Sequence, residues 1–497
     1  MIEMLLAGFA QILEPVNFLY LLTGVTCGLI LGSIPGLTAT MGIALVIPMT
    51  YYMTPMQSFT IIMGAFNGGV FGGSISAILI GTPGTPSAGA TVADGFKMAL
   101  AGKAGKAIKL ALFSSVTGCL LSCVALLLVA EPVSKYALRF GPAEYAMLML
   151  LSLTIIGSAS GDSIKKGMIG GALGLLFGTV GMDIFVSTPR YIFGMSYLTG
   201  GIDLIVMLIG VLAFSEILMQ LEGIARGKTT SHLPPPAHKA DNQLSCREFF
   251  GHWRTILRSW ALGAGIGALP GLGATLAAYV GYSVAQRSSK EPEKFGTGIP
   301  EGIIAPETAN NAVCGSNLIP LLSLGVPGDA VAAMLIGAFM IQGLTPGPLV
   351  FREAPHVVFG LYAGLMTSNL LLIVLTYAFL KAFVKFAQMP TTIIFPVIIS
   401  FCFIGIFSIH QAPEDLWIFL FFACIGYVLS KFGYPPSAML IGFILSPLFE
   451  ENFRRALTLS EGNYAVFYSS YICIACWLLT LYSIFVVLRS RRRRIII

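Results

Sequence analysis

Apolar residues run in long blocks along most of this chain, without the strict alternation of a half-buried strand or the polar face of a surface helix. Ile108–Ala130, Ile202–Leu221, Val357–Leu380, Thr392–Ser408 and Tyr464–Leu488 are such blocks, each at or near the ~20 residues that cross hydrocarbon as a helix. The pattern predicts an all-α polytopic membrane protein with about 10–12 transmembrane segments. One clearly polar stretch, Glu222–Arg258, interrupts it, with Pro234-Pro235-Pro236 and six basic against three acidic residues. That composition predicts a solvated cytoplasmic linker (222–258) between a first transmembrane repeat (1–221) and a second repeat with C-terminal helices (259–497). His232, His238 and His252 fall in it at irregular spacing and read as linker residues rather than metal ligands.

The apolar blocks are broken twice in the same way. Gly32-Ser33-Ile34-Pro35-Gly36-Leu37-Thr38-Ala39-Thr40 returns as Gly267-Ala268-Leu269-Pro270-Gly271-Leu272-Gly273-Ala274-Thr275, with six of nine positions identical. Each copy is followed by a second break, Gly81-Thr82-Pro83-Gly84 and Gly325-Val326-Pro327-Gly328, and each of these has an asparagine fourteen residues before it, Asn67 and Asn311. Matched hydrophobic segments interrupted by Gly and Pro are the mark of a secondary transporter built from structural repeats. An odd number of spans between equivalent points and the charge distribution predict that the repeats are inverted.

Proline deletes a backbone donor and frees the carbonyl of the preceding turn, and glycine adopts conformations closed to other residues. In hydrocarbon such backbone persists only when it is buried in protein or lines a wet cavity. Broken, re-entrant helices therefore put helix ends near the midplane, where N–H groups suit anions and carbonyls suit a hard cation. The expected substrate-binding residues are Pro35, Gly36, Thr38, Thr40, Ser74, Thr82, Pro83, Gly84 and Thr85 in the first repeat, with Pro270, Gly271, Thr275, Pro327 and Gly328 in the second. For cation coupling the candidates are Asn67, Asn310, Asn311, Glu307 and Asp329, because an intramembrane acid is a functional candidate by default. A lone Ser or Thr in such helices commonly bonds back to its own turn, and small residues such as Gly73–Ala77 serve close packing. The weight rests on repetition in register.

Composition sharpens this picture. Of 497 residues 56% are hydrophobic and only 10% charged, against roughly 25% charged in a soluble domain. The net charge of +6 matters less than its placement: no Lys or Arg precedes Lys97, and Arg491–Arg494 lie near the other end. By the positive-inside rule the N-terminus is expected outside and the C-terminus inside, with Asp94, Lys97 and the lysines after them in a cytoplasmic loop. The arginine run beside the membrane reads as headgroup contact rather than nucleic-acid binding. Met4–Leu13 lacks the features of a cleavable signal and reads as an interfacial helix. Nine scattered cysteines form no metal-like group, Gly102–Lys106 lacks the spacing of a phosphate loop, and no catalytic triad appears. The reading is a transporter and not an enzyme, with no cofactor beyond a coupling ion, Na⁺ or H⁺. An organic-anion channel and a membrane-embedded enzyme are the alternatives.

At Gly72-Gly73-Ser74-Ile75-Ser76-Ala77-Ile78-Leu79, Pro83-Gly84-Thr85-Pro86-Ser87-Ala88 and Asp94-Gly95-Phe96 the chain resembles the large membrane subunit of tripartite tricarboxylate transporters, the TctA family. The same holds for Ala305-Pro306-Glu307-Thr308-Ala309-Asn310-Asn311-Ala312, Pro320 to Gly328, and Gly343-Leu344-Thr345-Pro346-Gly347-Pro348. The resemblance implies a three-component system in a bacterial inner membrane. A periplasmic solute-binding protein (TctC-like) delivers a di- or tricarboxylate or related organic acid, and a small four-helix membrane subunit (TctB-like) accompanies the large one. Uptake is driven by a Na⁺ or H⁺ gradient. Lys97 stands where proline is common in the family, and Gly81 stands where asparagine is expected, a departure at the substrate contacts that leaves citrate itself unassigned as the substrate.

Overall fold

A computed structural model describes residues 1–34, 36–159, 164–226, 243–387 and 391–494. The chain is almost wholly helical, with one short hairpin of strands, β1 (Gly181–Met182) and β2 (Pro189–Arg190), among the described residues. Among the described residues seven helices are long and apolar enough to cross a membrane, including Pro15–Ser33, Pro55–Ile80, Leu204–Ile224 and Pro355–Leu380. Shorter apolar helices, including Ala39–Tyr52 and Ala330–Ile341, add to them, because the Gly and Pro breaks cut the apolar blocks.

The helices that build the centre are numbered in chain order. In the first half they are α1 (Pro15–Ser33), α2 (Ala39–Val46), α3 (Pro55–Ile80), α4 (Gly89–Met98) and α5 (Ala104–Ala137). In the second they are α6 (Trp253–Gly267), α7 (Gly273–Ser288), α8 (Glu301–Ser316), α9 (Ala330–Ile341) and α10 (Pro436–Leu459). Helix α6 begins inside the expected 222–258 linker, of which 227–242 lies outside the described residues.

Glycines spaced by four put one bare stripe on each of α1 and α3. Gly24, Gly28 and Gly32 lie directly on the backbone of Ile61, Ala65 and Gly69, and Gly64, Gly68 and Gly72 lie on that of Leu21, Val25 and Leu29. Small residues let membrane helices approach until backbone atoms touch, which gains dispersion energy where apolar lipid offers no hydrophobic drive. Helix α3 is well started as well: Thr54 and Gln57 close a capping box around Pro55, the first helical residue. The second half repeats the contact in register. Gly28 meets Ala65 and Gly32 meets Gly69; at the matched positions Gly263 meets Ala309 and Gly267 meets Val313.

The breaks match in backbone too. Gly36 and Gly271 have φ of 85° and 84°, and Gly81 and Gly325 both have φ of 73°. These are left-handed conformations that side chains with a Cβ avoid, so each motif glycine ends a helix at the same point of its repeat. Gly84 donates to the Gly73 carbonyl at 3.2 Å, and Gly328 packs against Asn317 at the matched place.

Asp94 does not sit in a solvated loop as the charge pattern suggested. It is fully buried on α4 and accepts from the backbone N–H groups of Gly296 (2.9 Å), Gly298 (2.8 Å) and Ile299 (3.0 Å) and from the Tyr282 hydroxyl (2.8 Å). The positive φ of Gly296 and Gly298 turns those N–H groups inward. One carboxylate thus fastens the first half to the segment that leads into α8.

The strand hairpin is held to α10 by a second polar cluster. Arg190 makes a two-pronged contact with Glu450 at 2.7 and 3.0 Å, and Asp183 pairs with Arg190 at 3.2 Å and Arg454 at 2.7 Å. Backbone N–H groups of Val186 and Phe185 together with Arg454 hold the Asp183 carboxyl well below the usual carboxylate range.

Two outcomes test these contacts. Gly28→Leu and Gly263→Leu should each cost more than the ~1–3 kcal/mol of ordinary overpacking, because the collision is with backbone; lowered yield and melting temperature in detergent would register it. The depressed Asp183 carboxyl contributes stability above its unfolded value, near ~4, that is lost as pH falls. The melting-temperature gap between wild type and Asp183→Asn should be widest above about pH 5 and narrow progressively as pH falls below about 4, without closing by about pH 3; a pH-independent gap contradicts the ion-pair account.

Candidate functional site

Four helical starts converge on one cavity of about 370 Å³. Thr38 to Thr40 open α2, Thr85 to Ser87 open the 3₁₀ turn Pro86–Ala88, Gly271 to Thr275 lead into α7, and Asp329 to Val331 open α9. Phe66 and Val70 of α3 and Pro435, Ser437 and Ile441 at and near the start of α10 complete the wall. Three starts are capped by a side chain: Thr38 accepts from Met41 N–H at 3.3 Å, Thr85 from Ala88 N–H at 3.4 Å, and Asp329 from Ala332 N–H at 2.8 Å. A cap satisfies only part of a first turn, so the remaining N–H groups give each start a partial positive charge suited to an anion. Thr40 bonds Thr38 at 2.6 Å and Ser87 bonds Thr85 at 3.2 Å, which aligns hydroxyls beside those ends. Among the described residues the lining carries one carboxylate, Asp329, and no Lys, Arg or His.

Of the expected substrate residues, Thr38, Thr40, Thr85, Gly271 and Thr275 line this cavity. Pro35 lies outside the described residues. Gly36 and Pro270 shape the loops behind the lining, and the Gly36 carbonyl accepts from the Gln220 amide. Gly84, Pro327 and Gly328 are buried behind the lining, where the Gly328 carbonyl accepts from Gly271 N–H at 2.7 Å. Thr82 is exposed and Pro83 half-buried, away from the cavity. Of the expected cation residues only Asp329 lines it. Asn67 donates to Ser368 at 2.9 Å and Asn311 to its own Glu307 carbonyl at 3.0 Å, each leaving its side-chain oxygen unpartnered; Asn310 has neither amide atom partnered. The sequence reading missed Pro435 and Ser437, for which the Pro435-Pro436 break in an apolar run was the available signal.

Glu307 and Ser74 meet each other rather than the cavity. The Glu307 carboxyl, fully buried on α8, is held by Ser74 of α3 (2.7 Å), Thr91 of α4 (2.5 Å) and Ser115 of α5 (3.0 Å). Three first-half helices thus grip one second-half side chain with hydroxyls alone. Burying such a group without partners would cost several kcal/mol, so this clasp fixes where the halves meet and stands behind the cavity wall.

Residues 18–441 match the family described as the tripartite tricarboxylate transporter TctA family. The chain is 34% identical, over all of its own length and 99% of the relative's, to an uncharacterized 52.8 kDa protein in the TAR-I ttuC' 3' region of Agrobacterium vitis. A second protein of that organism, in the TAR-II ttuC' 3' region, is 42% identical over 41% of this chain and 85% of its own length. No solved structure matches the chain.

Glu307→Gln keeps the shape of the clasp but turns one acceptor into a donor, and Ser115→Ala removes one hydroxyl. On buried hydrogen-bond costs of about 1–3 kcal/mol, the first should lower thermal stability clearly and the second less. Equal stability of Glu307→Gln and wild type in a melting assay would contradict the clasp.

Proposed function

This chain belongs to the tripartite tricarboxylate transporter TctA family, and from that premise we propose that it is the subunit through which an organic acid crosses the membrane. The substrate we assign is a di- or tricarboxylate, delivered by a periplasmic binding protein and taken up with Na⁺ or H⁺ at a bacterial inner membrane, beside a small four-helix subunit. The convergence of four helix starts and their hydroxyls on one cavity supports this reading, because helix ends neutralise a carboxylate without a buried Lys or Arg. The repeats, on this reading, are inverted and exchange access to the cavity from the two sides.

A second cavity of about 520 Å³ supports a path. It lies under the strand hairpin, lined by Arg190, Ile336, Met340, Phe443, Ile444 and Glu450 among others. Helices α9 and α10 contribute to both cavities, with Val331 and Ile441 at the first and Met340 and Ile444 at the second. Substrate passing between them would travel along one helix pair.

Uptake of labelled carboxylates into vesicles holding the three-component system tests this. The expected result is saturable accumulation that needs both an imposed cation gradient and the binding protein. Equilibration without accumulation would favour a channel. Thr40→Val and Thr85→Val should each raise KM about tenfold or more, from ~1.5–3 kcal/mol for a hydrogen bond to a charged group, and Thr82→Val should leave KM unchanged.

A further inference from the structure

Two matched positions of the repeats differ, one in the cavity wall (Thr85 and Asp329) and one behind it (Gly73 and Asn317), and the difference divides the chemistry of the site. In the first half position 73 is glycine and position 85 threonine; a Cβ on Gly73 would lie 2.6 Å from the Thr85 hydroxyl, so the hydroxyl fills that slot. In the second half the same positions hold Asn317 and Asp329, a pair with one amide and one carboxylate. Gly328 packs against Asn317, where an added Cβ would sit 2.9 Å from the Asn317 Cβ, and this brings Asp329 beside the amide. Asn317 is fully buried, its amide lies against the Asp329 carboxylate, and its side-chain oxygen has no hydrogen-bond partner.

A buried amide oxygen left unpaired is costly, and such a group calls for a water, an ion or another ligand. The amide oxygen and the carboxylate together are hard oxygen donors of the kind that bind alkali and alkaline-earth cations. Asn310 is unpartnered as well, but seven residues along α8 place it roughly 10 Å away, too far to share one ion. The first half offers the opposite chemistry, with the hydroxyls of Thr38, Thr40, Thr85 and Ser87 and no acid in the lining.

We infer that the cavity is divided between the repeats: first-half hydroxyls and helix ends hold the carboxylate, and Asn317 with Asp329 contributes to a Na⁺ site to which the bound carboxylate adds a further ligand. The inference rests on the transporter reading above and names the ion site within it. It also accounts for a cavity that takes an anion while presenting an acid, because the cation lies between the two negative groups.

The test is melting of the purified protein in NaCl against choline chloride at equal ionic strength, joined to uptake at varied Na⁺. Wild type should be stabilised by Na⁺ without carboxylate. Asn317→Ala should raise the half-saturating Na⁺ concentration tenfold or more and leave the carboxylate KM at saturating Na⁺ within about twofold. Asn317→Ser, which restores an oxygen, should fall between them, and the choline melts report whether each variant is folded. Unchanged Na⁺ dependence in a folded Asn317→Ala would overturn the site. So would uptake that is gradient-driven in wild type without any Na⁺ effect on melting, a result that leaves the transporter reading intact and assigns the amide to bound water. Na⁺ stabilisation lost in Asn317→Ala without uptake of any carboxylate would instead support the ion site and sink the transporter reading.

Discussion

Backbone contact between α1 and α3 is the constraint on which the rest of the centre depends. Three glycines on each helix clear the line of closest approach, so Gly28 and Gly68 rest on main-chain atoms of the facing helix. Helices that touch at backbone level have almost no room to shift register, and they hold the two breaks of one repeat at a fixed separation. Gly84 then reaches Gly73 and lies against the Gly32 carbonyl, which pins the second break onto the pair. The second half uses the same geometry with Ala309 and Val313 in place of Ala65 and Gly69. A cavity made from the tips of both breaks follows from that rigidity.

Two carboxylates then join the halves without entering the cavity. Asp94 closes on backbone N–H groups ahead of α8, and Glu307 on α8 closes on hydroxyls of α3, α4 and α5. Both are charged-type groups placed where removing one partner is expensive, so they define one arrangement of the halves sharply. The cavity itself is left with a single acid and several hydroxyls, and its polarity comes from helix ends.

Much of this was legible in the sequence, for a physical reason. Proline and glycine act on the backbone directly, so the twin breaks at Gly36 and Gly271 and at Gly81 and Gly325 could be read without knowing any neighbour. Thr38, Thr40, Thr85, Thr275 and Asp329 follow the breaks immediately and share their location. Roles set by distant partners were not legible: Ser74 turns to Glu307, Asp94 turns to a loop some two hundred residues on, and the charge pattern alone placed Asp94 in water. Pro435 and Ser437 belong to no repeated motif and enter the cavity only because α10 packs beside α9.

The central claim is that both repeats contribute to one binding site. Cysteines introduced singly at Thr40 and Thr275 would be labelled with a small thiol reagent, against the background of wild type, in the presence of increasing carboxylate and its coupling ion. The account predicts that the same carboxylate protects both positions with the same half-maximal concentration. Protection of one position with the other labelled freely at saturation would contradict it.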